Sequence, residues 1–237
     1  MTVAIMQPYF FPYPAYFRLA HAADVFVVYG EAQYMRGGYV NRNRIDVAGA
    51  DRWLTLPVER GRLGDAIRER RVDGASFPRW RRRTMRTFRL TYAKAPYLEA
   101  AAALLDGVLA CGPRPGGPSV SVGDVAAAGL REVCGYLGIG TRFAAGADLD
   151  YDRALPAAGK VLGMCRALGA TRYVNAAGGR DLYHADAFAT AGLELRFVGA
   201  GRTLPPPYRP DLSILDALCK FSPATLRDAL SDYALDT

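Results

Sequence analysis

Histidine and lysine are nearly missing from these 237 residues, which carry two histidines and three lysines against 27 arginines. His21 and His184 stand apart, with no ligand spacing and no paired carboxylate motif, so a zinc site is not expected and both read as surface or structural. Cysteine is scarce as well. Cys111, Cys134, Cys165 and Cys219 form no CxxC pair and read as buried free thiols of a reducing cytoplasm. There is no GxSxG elbow, no Walker loop and no dinucleotide fingerprint, so neither a serine nucleophile nor a nucleotide cofactor follows from the residues, and no metal or cofactor is expected. No apolar run approaches the roughly 20 residues a membrane helix needs. Asp106 interrupts the best candidate, and the N-terminus has three prolines and no basic leader, unlike a signal peptide. The expectation is a cytoplasmic protein without membrane insertion.

With 51% hydrophobic and 22% charged residues, the composition is that of a globular chain and excludes disordered and fibrous classes. Its net charge is +7, and residues 1–100 alone carry +8. The abundance of arginine fits either a GC-rich genome or recognition of phosphate and carboxylate, for which its planar fork is suited.

Organisation follows from pattern. Val3–Met6 is a short apolar run closed by Gln7-Pro8, Ala15–Ala22 is helical in composition, and Asp24–Tyr29 is a second apolar strand. Strand, helix and strand in so few residues predict a βαβ unit with parallel strands, whose first turn lies at the carboxyl edge where α/β proteins bind ligands. Tyr39–Val47 and Trp53–Val58 predict a hairpin about Ala48–Asp51, which would make the early sheet mixed. Helices are expected over 79–90, 96–110 and, capped near Ser121, up to Leu137. The Pro- and Gly-rich stretch 111–118 is a loop. The last third alternates again, with helices 158–168 and 181–191, strands 172–174 and 193–198, and helices near 211–220 and 223–231. The expected fold is a single α/β domain with a Rossmann-like, mostly parallel or mixed sheet flanked by helices. Its core is placed at 1–60 and 158–222, with a helical insertion at about 77–140.

Four motifs carry candidate chemistry. Gln7 to Phe17 packs six aromatics and three prolines into eleven residues. These rings are either core at a tight turn or a preorganised pocket wall, in which Gln7, Tyr9, Tyr13 and Tyr16 would bind substrate. In Asn41-Arg42-Asn43-Arg44, strand alternation puts the two Asn on one face and the two Arg on the other. That face is either edge-strand charge or an anion site, with Arg42 acting on the reacting group. Glu31 and Tyr34 are the candidate general base and hydroxyl donor. Asn175, Gly178, Gly179 and Asp181 lie where a strand gives way to a helix, with Asp181 as its expected N-cap. A fifth feature is the run of six arginines between 79 and 89. Arg79, Arg82, Arg83 and Arg86 form either a solvated helix face or a dock for an acidic partner. No nucleic-acid module accompanies the patch, so nucleic acid is not an expected partner.

Together, Ile5–Tyr13, Gly38–Arg44, Trp53–Pro57, Tyr92–Tyr97, Gly178–Tyr183 and Leu212–Asp216 resemble motifs of the WbqC-like family of bacterial proteins, in the same order. That resemblance implies a place in O-antigen, surface-glycan or natural-product biosynthesis and transfer of an aminoacyl or acyl group to an amine acceptor such as an amino sugar. The donor would be held by an acyl carrier protein or another acidic partner. One departure stands out. The family usually has an acidic pair after the second strand, and this chain reads Tyr29-Gly30-Glu31, keeping one carboxylate. The alternative is a noncatalytic module that delivers a nucleotide sugar or carrier-bound intermediate to a partner enzyme. All the site motifs are expected to meet in one cleft.

Overall fold

The computed structural model describes residues 1–236. Apolar strands β1 (Thr2–Met6) and β2 (Val25–Val28) are parallel and joined by helix α1 (Pro14–His21), as the βαβ pattern requires. Three further parallel strands are β5 (Arg142–Ala145), β6 (Arg172–Ala176) and β7 (Glu194–Gly201). Antiparallel β8 (Tyr233–Asp236) completes a sheet of order β5-β2-β1-β6-β7-β8. The chain first builds outward from β1 through β2 and later returns to place β6 on its other side. The topological switch point therefore lies between β1 and β6.

Strands buried on both faces explain the continuous apolar runs. Ala4, Phe26 and Val28 face a large core, whereas Val3, Ile5, Val25 and Val27 face a smaller one. Helices α5 (Ala157–Ala167) and α6 (Ala185–Thr190) cover the smaller side through Val161, Met164 and Phe188. The larger side holds α1, α7 (Ile214–Lys220) and α8 (Pro223–Ser231). The middle helices α2 (Phe77–Thr91), α3 (Leu98–Ala110) and α4 (Val122–Leu137) share that same core, with Leu105, Leu109 and Leu130 buried in one cluster with Leu215 and Leu218. Trp80, Thr84 and Phe88 form the buried stripe of α2, as their spacing predicts, and Ser121 caps α4 by accepting from the Gly123 amide.

Several expectations are corrected. The hairpin β3 (Arg42–Val47) and β4 (Ala50–Thr55) forms its own two-stranded sheet, so the main sheet is mixed only by β8. Both β5 and β8 went unread, because short edge strands with exposed faces carry no alternation. Cys111 is exposed, while the other three thiols are buried. Helix α6 begins after His184, because Ala177–Leu182 winds into a 3-10 turn that removes Asp181 from the N-cap. Among the described residues no helix is long and apolar enough to cross a membrane.

Candidate functional site

The turn after β1 is strained and then clamped. Phe11 has φ +43°, a conformation that costs a non-glycine residue about 1–3 kcal/mol unless its surroundings enforce it. Its carbonyl accepts hydrogen bonds from Asn43 Nδ2 at 2.8 Å and Ser213 Oγ at 2.8 Å. Next to it, the Ile214 amide donates to the Pro12 carbonyl. The aromatic motif is thus fixed from two distant segments. Tyr16 donates its hydroxyl to the Gln7 carbonyl at 2.6 Å and is wholly buried. Tyr9 stacks between Tyr16 and Tyr39, and Tyr39 touches Trp53, so a chain of rings runs from the sheet edge to the hairpin.

At the switch point this turn walls a crevice of about 340 Å³. Tyr13, Tyr16 and Arg18 line one side, and Ala176–Gly178 and Val198–Ala200 line the other. Arg18 is 9% exposed, and its Nε has no acceptor, although Nη2 donates to the Arg202 carbonyl. It gives an otherwise apolar crevice one fixed charge. A lone arginine in an apolar helix carries no sequence signal of this role.

One strand away lies a second feature. Tyr29 donates its amide to the Met6 carbonyl, and Met6 lines the crevice. Two residues on, the Glu31 carboxylate is 11% exposed, with both oxygens buried and without a hydrogen-bond partner. Arg68 Nη1 approaches to only 3.9 Å. Burial, then neighbouring Tyr151 and Glu31, pushes the Tyr29 hydroxyl up to about 12, and burial and Glu31 raise Tyr151 as well. Both phenols are therefore proton donors at neutral pH. Gly146, at the end of β5, leaves the space this carboxylate needs, since a Cβ there would lie 2.8 Å from Glu31 Oε2.

A third feature sits beside the hairpin. Tyr34, Asn41 and Arg42 line an open cleft of about 600 Å³ together with Arg36, Arg60 and Arg70. Arg42 donates to the carbonyls of Gly37 and Gly38, and its guanidinium stacks on Trp53, 4.1 Å from the ring centroid. Arg70 is 6% exposed, pairs with Asp65 at 3.1 Å, donates to the Glu59 carbonyl at 2.7 Å and lies over the Tyr34 ring. Its Nε is buried and unmatched, a condition that costs about 1–3 kcal/mol. Gly61 permits this arrangement, for a Cβ there would fall 1.4 Å from Arg70 Nη1.

The expected site residues thus divide among three places and do not line one cleft. Tyr13, Tyr16 and Gly178 line the crevice, and Glu31 lies beyond it with Tyr29 and Tyr151. Tyr34 and Arg42 line the arginine cleft, whose lining does not include Glu31, and Tyr34 spends its hydroxyl on Asn41 Oδ1 at 2.9 Å. Asn41, just before β3, and Asn43 are buried while Arg42 and Arg44 are less so, as alternation predicts, but the asparagines have structural tasks. Asn41 also donates to the Leu56 carbonyl, and fully buried Asn43 clamps Phe11. Arg44 joins Asp51 and Asp211 in an ion network with Arg209. Asn175 is buried, accepts from the Ala176 amide and packs beneath Gly179, while Asp181 is exposed. Gln7 offers its carbonyl to Tyr16, and Tyr9 serves the ring chain. Arg79, Arg82, Arg83 and Arg86 are exposed on α2, whereas Arg81 and Arg89 pair with Asp106 and Glu99 of α3. Burial pushes the thiols of Cys134 and Cys165 up to about 12 and raises Cys219.

The model of the WbqC-like protein family matches residues 7–228, a span that includes Glu31, the arginine cleft and all the crevice lining except Met6. The uncharacterized protein Rv1507c of Mycobacterium tuberculosis is 30% identical over 180 residues, which cover 76% of this chain and 74% of that protein. No solved structure matches the chain.

Proposed function

The chain belongs to the WbqC-like protein family, and from that premise we propose that it transfers an acyl or aminoacyl group to an amine at the carboxyl edge of its parallel sheet. The observation that carries this reading is Glu31. A buried carboxylate that makes no hydrogen bond and only a long 3.9 Å contact with Arg68 holds nothing in the fold and is placed to take a proton from an incoming amine. In the reaction the amine nitrogen attacks the acyl carbonyl carbon and a C–N bond forms. The bond to the leaving group breaks, and the proton lost by nitrogen passes through Glu31 to that group. Tyr29 and Tyr151, held protonated by burial, donate to the oxygen on which charge develops. The switch-point crevice holds the acyl chain, with Arg18 facing its polar end. A covalent thioester on Cys134, Cys165 or Cys219 is disfavoured by the raised pKa values of these buried thiols.

Mass spectrometry of the purified protein incubated with acyl- or aminoacyl-loaded carrier protein and a panel of amines tests the reading. Product is expected from the wild type, and Glu31→Gln is expected to lose at least about 100-fold in rate. Full turnover by that variant would remove Glu31 from the chemistry. The noncatalytic alternative draws on the exposed arginines of α2, which suit docking without chemistry. Tight binding of loaded carrier with no product from any amine would favour it.

A further inference from the structure

The cleft beside the hairpin carries more positive charge than its own architecture uses. Arg36, Arg42, Arg60 and Arg70 line it, with Glu59 as the one acid among its lining residues. Two of these arginines are anchored and two are free. Arg42 is held by the carbonyls of Gly37 and Gly38 and by Trp53, and Arg70 by Asp65, the Glu59 carbonyl and Tyr34. Arg36 and Arg60 are exposed and have no ion pair or hydrogen bond among the described residues.

Placing like charges around one concavity is unfavourable without a counter-charge, and the concave shape focuses their field. The buried Nε of Arg70 has no acceptor among the described residues. Gly61 leaves room at the cleft wall for that guanidinium, since a Cβ there would displace it from its place beside Asp65. Planar guanidinium forks fit tetrahedral oxyanions, which accept two parallel N–H bonds from each.

We propose that this cleft is an anion-binding site for a phosphate ester, with Arg42 and Arg70 as the preset floor and Arg36 and Arg60 closing over the ligand. The site stands on its own geometry and holds whether or not Glu31 acts as a base. It also gives Arg42 a binding role rather than a place in the reacting group.

Titration calorimetry at low salt with inorganic phosphate and with pyrophosphate provides the test. Both anions are expected to bind at one site, and the tighter of the two reports how many phosphoryl groups the cleft spans. The Arg36→Ala/Arg60→Ala double variant removes only side chains that hold nothing, so its fold is not at risk. It is expected to weaken the preferred anion about tenfold or more, with a shallower dependence on salt. The Arg79→Ala/Arg82→Ala control on α2 is expected to leave affinity within about twofold. Absence of binding to either anion by the wild type, or an equal loss in the α2 control, would overturn the proposal.

Discussion

Arginines are gathered twice in this molecule, once on the exposed face of α2 and once around the cleft at Tyr34. On α2, Arg79, Arg82, Arg83 and Arg86 are exposed and make no ion pair among the described residues, and the helix is held by its other face, through Trp80, Thr84 and Phe88. In the cleft, Arg42 and Arg70 are themselves structural, stacked on rings and bound to carbonyls and a carboxylate. The difference teaches that a count of basic residues says little about what they do. A charge free on both sides is screened within about 10 Å at ordinary salt. A charge fixed by its neighbours in a concavity keeps direction as well as sign.

The comparison breaks most visibly in stability. Arg70→Ala removes the cation paired with Asp65, whose Oδ2 keeps only the Arg62 amide, leaves the Glu59 carbonyl without that donor and opens a void above Gly61. The expected loss is about 2–3 kcal/mol, set by the truncated buried pair and the lost packing. Arg82→Ala is expected to change stability by less than about 0.5 kcal/mol, as at ordinary exposed positions. Chemical denaturation of both variants measures this, and equal losses would mean that the two arginine groups do not differ in kind.

Gly61→Ala sharpens the same contrast by leaving every charge in place. Its Cβ would enter the volume of Arg70 Nη1 and drive the guanidinium off Asp65. A loss of about 1–2 kcal/mol is expected from the disturbed pair and packing. Gly107→Ala, within α3 and with open space around the added carbon, is expected to be neutral or stabilising. If Gly61→Ala is also neutral, the floor of the cleft is not preset.

How much of this was legible in the sequence depends on whether a role is local. The β1-α1-β2 unit, the β3-β4 hairpin and the buried stripe of α2 were readable because each is a pattern within one segment. Glu31 was readable as the carboxylate after an apolar strand. Asn43 was noticed as unusual in a strand, but its task is to hold Phe11, 32 residues away, which no spacing reveals. Arg18 and Arg70 carry no signal in the sequence, because burial of an arginine is decided by what folds around it. Tyr151 and Gly146 reach Glu31 only because β5 pairs with β2, and four residues with no alternation of burial do not read as a strand. The single-cleft expectation failed for a related reason. Tyr34 and Glu31 are three residues apart, yet Tyr34 is spent on Asn41 in the arginine cleft while Glu31 turns to Tyr29 and Tyr151.

The smallest expected effect concerns how α2 presents its stripe. Its first turn has no acidic residue, and the Ser76 side chain makes no cap hydrogen bond. Asp73 does that work from outside the helix. Its carbonyl accepts from the Phe77 amide, and its carboxylate accepts from Ser76 Oγ at 2.6 Å and the Ala75 amide at 3.1 Å. The Ser76 hydroxyl chiefly, partly opposed by desolvation and helped by backbone amides, lowers the Asp73 pKa below its ordinary value. A carboxyl whose folded pKa is depressed stabilises the fold above its unfolded pKa and loses that contribution as pH falls through the folded value. The stabilisation is therefore present at neutral pH and fades on acidification below about pH 4. Asp73→Asn, which keeps the shape without the charge, is expected to raise amide hydrogen exchange in the first turn of α2 at neutral pH and to match the wild type in acid. A difference that persists unchanged in acid would assign the turn to packing by Phe77 and Trp80 instead. The exposed arginines would then ride on a helix start fixed by its apolar face alone.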